Sequence, residues 1–233
     1  MDFIAQLNLR ELREVVVADE LPENGMLYVF YGGESGEMNE GRLMYTSEPT
    51  EHLQRSDRLN HEDWLVSGRP LKFSVGWNLP DIHSLAFMDM RKEAPLKYAD
   101  SDGSEVAIYS EALYSVGPRY SENCVMTMFG HAGCSVYGGT YPEPDDVEDP
   151  CIYIHESSRP SPSNKATSAI DQARSICAQW THLIELNSFY EDPEKRPLCP
   201  KFSWGDGFPY QFWIHNDDLD QFDVEKAIGE MAP

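Results

Sequence analysis

The chain has 233 residues, 41% hydrophobic and 12% aromatic, which is enough to bury a core in one or two domains. Against 40 aspartates and glutamates stand only 18 lysines and arginines, and the net charge of −22 disfavours nucleic acid and anionic membranes as partners. No apolar run is long enough to cross a bilayer and no signal peptide is evident, so we expect a cytoplasmic location. The five cysteines are irregularly spaced and are expected to be reduced thiols.

The first third of the chain reads mainly as β-structure. Residues 3–9 alternate weakly and predict a strand, and the aromatic and β-branched run over 26–31 predicts a second one. A glycine-containing loop follows, after which residues 42–46 predict a third strand that pairs back onto the second. Residues 71–75 also alternate and predict a strand.

Helical patterns belong mostly to the second half of the chain. Apolar residues at helical spacing over 170–180 predict a helix that leads into residues 180–186, where the β pattern returns. Asp223 is predicted to start a final short helix. Its expected inner face consists of Val224, Ala227, Ile228 and Met231.

Two segments near the ends of the chain echo one another. Each contains a short strand-like stretch, a polar loop, a glycine and an aromatic strand. The copies are Ala5–Asn8 with Gly25–Tyr31, and Ile184–Asn187 with Gly207–Trp213. We therefore expect one domain over residues 1–233, with related β units at about 3–46 and 180–216 that share a core. The predicted fold class is mainly β (β-rich α+β): roll-like antiparallel sheets with a few peripheral helices.

Four motifs along the chain are Gln6-Leu7-Asn8, Gly25–Tyr31, Phe129-Gly130-His131, and Trp204-Gly205-Asp206 followed by Phe212-Trp213-Ile214. Together they resemble the YwqG-like family, which comprises bacterial proteins of unknown function. The resemblance covers most of residues 3–220 and implies a mainly β, roll-like fold with a few helices, but no agreed activity.

The chain departs from the family pattern ahead of the last aromatic strand. The family has a glycine two residues after the aspartate of its Trp-Gly-Asp motif, where this chain has Phe208, with Gly207 one residue earlier. Two registers are therefore open for the strand that follows. The choice matters because a one-residue slip turns every side chain of a strand to the other face.

The predicted binding site is a groove at the seam between the two β units. Aromatic and carboxylate groups that converge in a cleft suit a polar or cationic ligand. A structural reading stays open, in which Asp206 closes a tight turn above Trp204. The candidate residues are Trp204, Asp206, Tyr28 and Tyr210, together with Gln6 and Glu185 at matching places in the two copies.

The metal-ligand and catalytic signals are weak. His131 and Cys134, followed by Cys151 and His155, have the residue types of a zinc site, but sixteen residues that include an acidic run separate the two pairs. Packed thiols and structural histidines explain these four better, so we expect no metal and no cofactor. With no catalytic constellation, the sequence favours a non-catalytic protein-binding module, of immunity type, with a basic protein as its partner. The alternative is a small-molecule or metal-dependent enzyme with its site at the seam.

Overall fold

The computed structural model describes residues 2–15, 19–32, 41–53, 70–80, 126–130, 178–187 and 209–231, with isolated positions at Met90, Tyr109, Glu111, Ala112, Ser115 and Ser175. These residues form two antiparallel sheets, as the mainly β prediction requires. The first sheet has the order β1-β2-β3, with β1 (Asp2–Asn8), β2 (Met26–Tyr31) and β3 (Gly41–Thr46). The second has the order β4-β5-β6-β7, with β4 (Met126–Met128), β5 (Trp180–Leu186), β6 (Tyr210–His215) and β7 (Ile228–Met231).

Short helical segments flank the strands. They are α1 (Leu9–Val15), α2 (Asn216–Leu219) and single 3₁₀ turns at Thr50–His52 and Val224–Lys226. In the part of the chain that the structure describes, no helix has both the length and the apolar character needed to cross a membrane.

Helix α1 was not predicted, and a polar cap explains its start. The Asn8 side chain accepts a hydrogen bond from the Arg10 backbone N–H (3.2 Å) and donates one to the Glu11 carboxylate (2.9 Å). The first bond gives the Arg10 N–H a partner, which the backbone of the first helical turn does not supply. Leu9 and Leu12 then bury the inner side of the helix, which keeps β1 and β2 adjacent although a helix separates them in sequence.

The two sheets share one hydrophobic core. An edge-to-face ring contact joins them directly, between Tyr31 and Tyr210, with centroids 4.9 Å apart, and a second contact of the same kind and distance joins Tyr45 to Phe222, in the turn after α2. The first sheet contributes Leu7, Leu27, Val29 and Leu43 to this core, and the second contributes Ile184, Leu186, Tyr210, Phe212 and Ile214.

A β-bulge occurs near the start of β1 and another near the start of β5. In β1, Phe3 pairs with Phe30 and Ala5 with Val29, so that Ile4 is the extra residue. In β5, His182 pairs with Trp213 and Ile184 with Phe212, so that Leu183 is the extra residue. Both bulged residues lie two positions before the first polar residue of the echo, Gln6 or Glu185. In both strands, the alternation of core-facing and outward-facing side chains therefore shifts by one residue at the same position of the echo.

The strand pairing decides between the two registers that the sequence left open. Gln6 pairs with Tyr28, whereas Glu185 pairs with Gln211. The matching that follows the glycines, Gly25 with Gly207, is wrong by one residue: Tyr210 corresponds to Leu27, and Gln211 corresponds to Tyr28. Burial agrees with this correction, because Tyr210 and Leu27 are both completely buried.

Two element predictions are wrong. Residues 71–75 lie in a described segment, 70–80, that is neither strand nor helix. The predicted helix from Asp223 is a single 3₁₀ turn followed by strand β7, which pairs with β6 from Trp213 to Tyr210. The apolar spacing of this segment fits a helix, but hydrogen bonding to a sheet edge outweighs a local pattern of only nine residues. The predicted helix over 170–180 lies almost wholly outside the described residues.

Alkaline pH is expected to destabilise the protein through two tyrosines at the sheet boundary. Burial raises the pKa of Tyr31 and of Tyr45 above the ordinary value of about 10. The unfolded chain therefore ionises first. The stability that these phenols contribute is complete below about pH 10 and is lost as the pH rises through their pKa values in the folded protein. Urea unfolding between about pH 9 and pH 11 measures the decline, which should be shallower in a Tyr31→Phe/Tyr45→Phe variant. An equal decline in that variant would contradict the assignment.

Candidate functional site

The first sheet turns one face to the core and the other away from it. Strand pairing arranges six residues of the second face in two rows across the three strands. One row is Gln6, Tyr28 and Met44, and the other is Phe3, Phe30 and Arg42. We call these six residues the outer face.

The bulge at Ile4 is what directs Phe3 to the outer face. If the regular pairing of Ala5 with Val29 continued, Phe3 would oppose Tyr31, whose ring packs on the core side against Tyr210. The extra residue instead places Phe3 beside Phe30, with ring centroids 5.8 Å apart in an edge-to-face arrangement. The Tyr28 ring lies 6.4 Å from Phe3 on its other side. Three aromatic rings thus form a continuous strip.

The outer face is accessible, and its surroundings are acidic. Phe3 is 48% exposed and Met44 is 42% exposed, while Tyr28 and Phe30 are half-buried. Residues 1–53, which contain the whole first sheet, have eleven acidic and only three basic side chains. Seven of the acidic side chains are exposed: Glu11, Glu14, Asp19, Glu20, Glu23, Glu48 and Glu51. Arg42 is the one cation among the six residues of the outer face, so the potential around the rings is negative on balance.

The second sheet has different residues at the matching positions. His182, Glu185, Gln211 and Trp213 occupy the places that Phe3, Gln6, Tyr28 and Phe30 have in the first sheet. All four are buried, at 3%, 0%, 1% and 8% exposure. We call these four residues the buried polar cluster.

Polar contacts hold the buried polar cluster together. The Gln211 amide donates to a Glu185 carboxylate oxygen at 2.8 Å. The same oxygen lies 3.9 Å from His182 Nε2, and the His182 ring packs on Trp213 with centroids 5.0 Å apart. A buried carboxylate with a donor at this distance is accommodated without the full cost of desolvation. The same four positions are therefore accessible in one sheet and enclosed in the other.

The structure brings together two of the six predicted site residues and separates others. Gln6 and Tyr28 are direct cross-strand neighbours on the outer face. Tyr210 lies in the core against Tyr31, and Glu185 lies in the buried polar cluster on the far face of the second sheet. A groove that joins Tyr28 to Tyr210 is therefore not formed, because the correct register turns these two side chains to opposite faces of their sheets.

The seam between the two β units is apolar where the structure describes it. Its inner surfaces are lined by Leu27, Val29 and Leu43 on one side and by Phe212 and Ile214 on the other, all at 0–1% exposure. This packing leaves no cleft with converging carboxylates among the described residues of the seam. The enzyme alternative stays a prediction, because Trp204, Asp206 and His131 lie outside the described residues.

Several predicted residues lie outside the described part of the chain. They are Trp204 and Asp206 of the predicted groove and the four weak zinc candidates His131, Cys134, Cys151 and His155. Among the residues that the structure does describe, no three histidine, cysteine, aspartate or glutamate side chains are grouped so that they could hold a metal ion.

Sequence reasoning missed Phe3, Phe30 and Met44. Phe30 lies two residues after Tyr28 on β2 and therefore shares its face. Met44 lies on the same face because it pairs with Tyr28 across the sheet. The position of Phe3 could not be predicted in this way. A one-residue bulge at Ile4 turns Phe3 to the opposite face from the one that regular alternation gives, and nothing in the local sequence indicates that bulge.

Two packed antiparallel sheets, one of them with a partly aromatic exposed face in an acidic segment of the chain, define a class of β-rich protein without a recognisable catalytic centre in the described residues. The match to a family model narrows this class. Residues 1–232 match the family described as a domain of unknown function (DUF1963), and the chain belongs to that family. A comparison with curated proteins finds no match.

Proposed function

We propose that the chain is a non-catalytic, cytoplasmic module that binds a basic protein, in the manner of an immunity protein, and that it is a YwqG-like member of its family. The observation that carries the proposal is the outer face: an accessible strip of three rings on a sheet formed by residues 1–53, a segment with eleven acidic and three basic side chains. Exposed aromatic residues supply contact area, and a net charge of −22 speeds the encounter with a cationic partner.

The correspondence between the two sheets supports this reading. Both β units place a bulge at the same step and pair their echoed strands antiparallel, as an internal repeat requires. One copy has its second face enclosed, with a hydrogen-bonded polar pair in it. The other copy presents aromatic residues at the same positions. An internal repeat of this kind leaves one of its two faces available to another molecule.

Co-expression with the products of the neighbouring reading frames tests the proposal. We expect a basic product to co-elute with the chain in gel filtration at about 0.05 M salt, and to co-elute much less at about 0.5 M, because salt screens exposed charges. If that product is a toxin, the chain should also protect the cells that express it.

Two results would count against a basic partner. One is a complex whose affinity does not change between the two salt concentrations, since electrostatic steering requires a salt dependence. The other is the absence of any complex with the basic products encoded beside the chain.

A further inference from the structure

We infer that the outer face receives arginine side chains of the partner, and that Phe3 is the residue on which they stack. This inference rests on the proposed function and specifies its contact. The first argument concerns geometry: Phe3 is flanked by Tyr28 at 6.4 Å and by Phe30 at 5.8 Å, with both interplanar angles near 60° (58° and 65°). Rings tilted in this way are not stacked in parallel, and Phe3 keeps 48% of its surface exposed to a third group.

The second argument concerns the exposure of Phe3. At 48% exposure it is accessible to a partner, whereas its counterpart in the second sheet, His182, is 3% exposed and packs on Trp213. Phe3 is exposed because a bulge turns it away from a core that would otherwise accept it. Bulges are over-represented at sheet edges, where β1 lies, and next to active sites, where they redirect a side chain.

The third argument concerns charge. A planar guanidinium stacks on an aromatic face more readily than an ammonium does, because it is less strongly hydrated. Eleven acidic residues against three basic ones over 1–53 provide the negative surroundings that attract such a group. Because a guanidinium also pairs with carboxylates through two hydrogen bonds, the distinguishing sign of ring contact is a preference for arginine that is lost when the Phe3 ring is removed.

The test compares octa-arginine with octa-lysine, two peptides of equal charge, by isothermal titration at low salt. The protein is expected to bind octa-arginine about three- to tenfold more tightly than octa-lysine. Phe3→Ser, which leaves the net charge unchanged, should weaken octa-arginine binding more than octa-lysine binding and so remove most of this preference. Phe30→Leu is the second variant, with an expected smaller loss of the same kind, in case Phe3→Ser does not fold.

Two matched variants control for position and for charge. Trp77→Ser removes an aromatic side chain that is 81% exposed but lies in the segment 70–80, outside the first sheet, and should leave the arginine preference intact. Arg42→Gln removes the cation of the outer face and should tighten the binding of both peptides by a similar factor.

The outcomes separate the two proposals. If both peptides bind equally well to the unaltered protein, or if Trp77→Ser loses as much as Phe3→Ser, arginine stacking on Phe3 is wrong while binding of a basic partner stands. If neither peptide binds, the proposed function fails together with the inference. If sedimentation shows a dimer that Phe3→Ser dissociates, a second copy of the chain occupies the outer face and the inference is overturned.

Discussion

Replacing Leu43 by alanine is expected to lower the free energy of unfolding by about 2–5 kcal/mol, whereas Met44→Ala should change it by less than about 0.5 kcal/mol. The two side chains are neighbours on β3 and of similar size, but they lie on opposite faces. Leu43 is 1% exposed and belongs to the core shared by both sheets, while Met44 is 42% exposed on the outer face. Truncation at position 43 leaves a cavity between the sheets, and truncation at position 44 does not.

Urea unfolding of the two variants, followed by circular dichroism, measures the difference. The pair serves as its own control, because a register error of one residue in β3 would exchange the two values. Equal losses would contradict the separation into a core face and an outer face on which the candidate site depends.

Gly41→Ala is expected to destabilise the protein by about 1–3 kcal/mol, although alanine is normally the better residue inside a strand. A Cβ atom at position 41 would overlap the Tyr210 ring and would lie 2.7 Å from Cζ of Phe212. Gly229, on β7, approaches the same ring: a Cβ there would lie 2.5 Å from the Tyr210 hydroxyl. Both rings are completely buried, so neither can move aside without disturbing the core.

A double-mutant cycle with Tyr210→Leu tests this explanation by thermal or urea unfolding. The smaller side chain makes room for the added methyl group, so Gly41→Ala should cost less in the Tyr210→Leu background than in the unaltered chain. A gain in stability on Gly41→Ala alone, as strand propensity would suggest, would show that Gly41 is not required for the close approach of the two sheets.

The sequence predicted the strands whose patterns are local and missed those that depend on tertiary contacts. The aromatic run of β2 and the alternation of β3 were recognised with nearly correct bounds. Strand β7 was predicted as a helix, because Val224, Ala227 and Ile228 have helical spacing and the edge of β6 that captures the segment is not visible in nine residues. Helix α1 depends on the side chain of Asn8, a cap that the sequence reading did not weigh.

Part of the candidate site could be predicted from the sequence, and the rest depends on strand pairing that the sequence does not show. Gln6 and Tyr28 were chosen because both lie in the first of the two echoed segments, and strand pairing makes them neighbours. Tyr210 was chosen by aligning Gly207 with Gly25, and the glycine is displaced by one residue from the position that the pairing requires. Aligning the two segments by their glycines matches the turns before the strands. Which side chains share a face of the sheet is determined instead by the hydrogen-bonded pairing of the strands.

The extra residue at Ile4 also affects how sequence changes at its two sides should be interpreted. After Ile4, side chains such as Leu7 pack in the core, so the volume available in the core limits which residues can replace them. Before Ile4, Phe3 contacts Phe30 on the outer face, so the volume of the core does not limit its replacement. If the proposed function holds, variation at position 3 among family members should follow differences in their binding partners, whereas variation at position 7 should follow only the packing of the core.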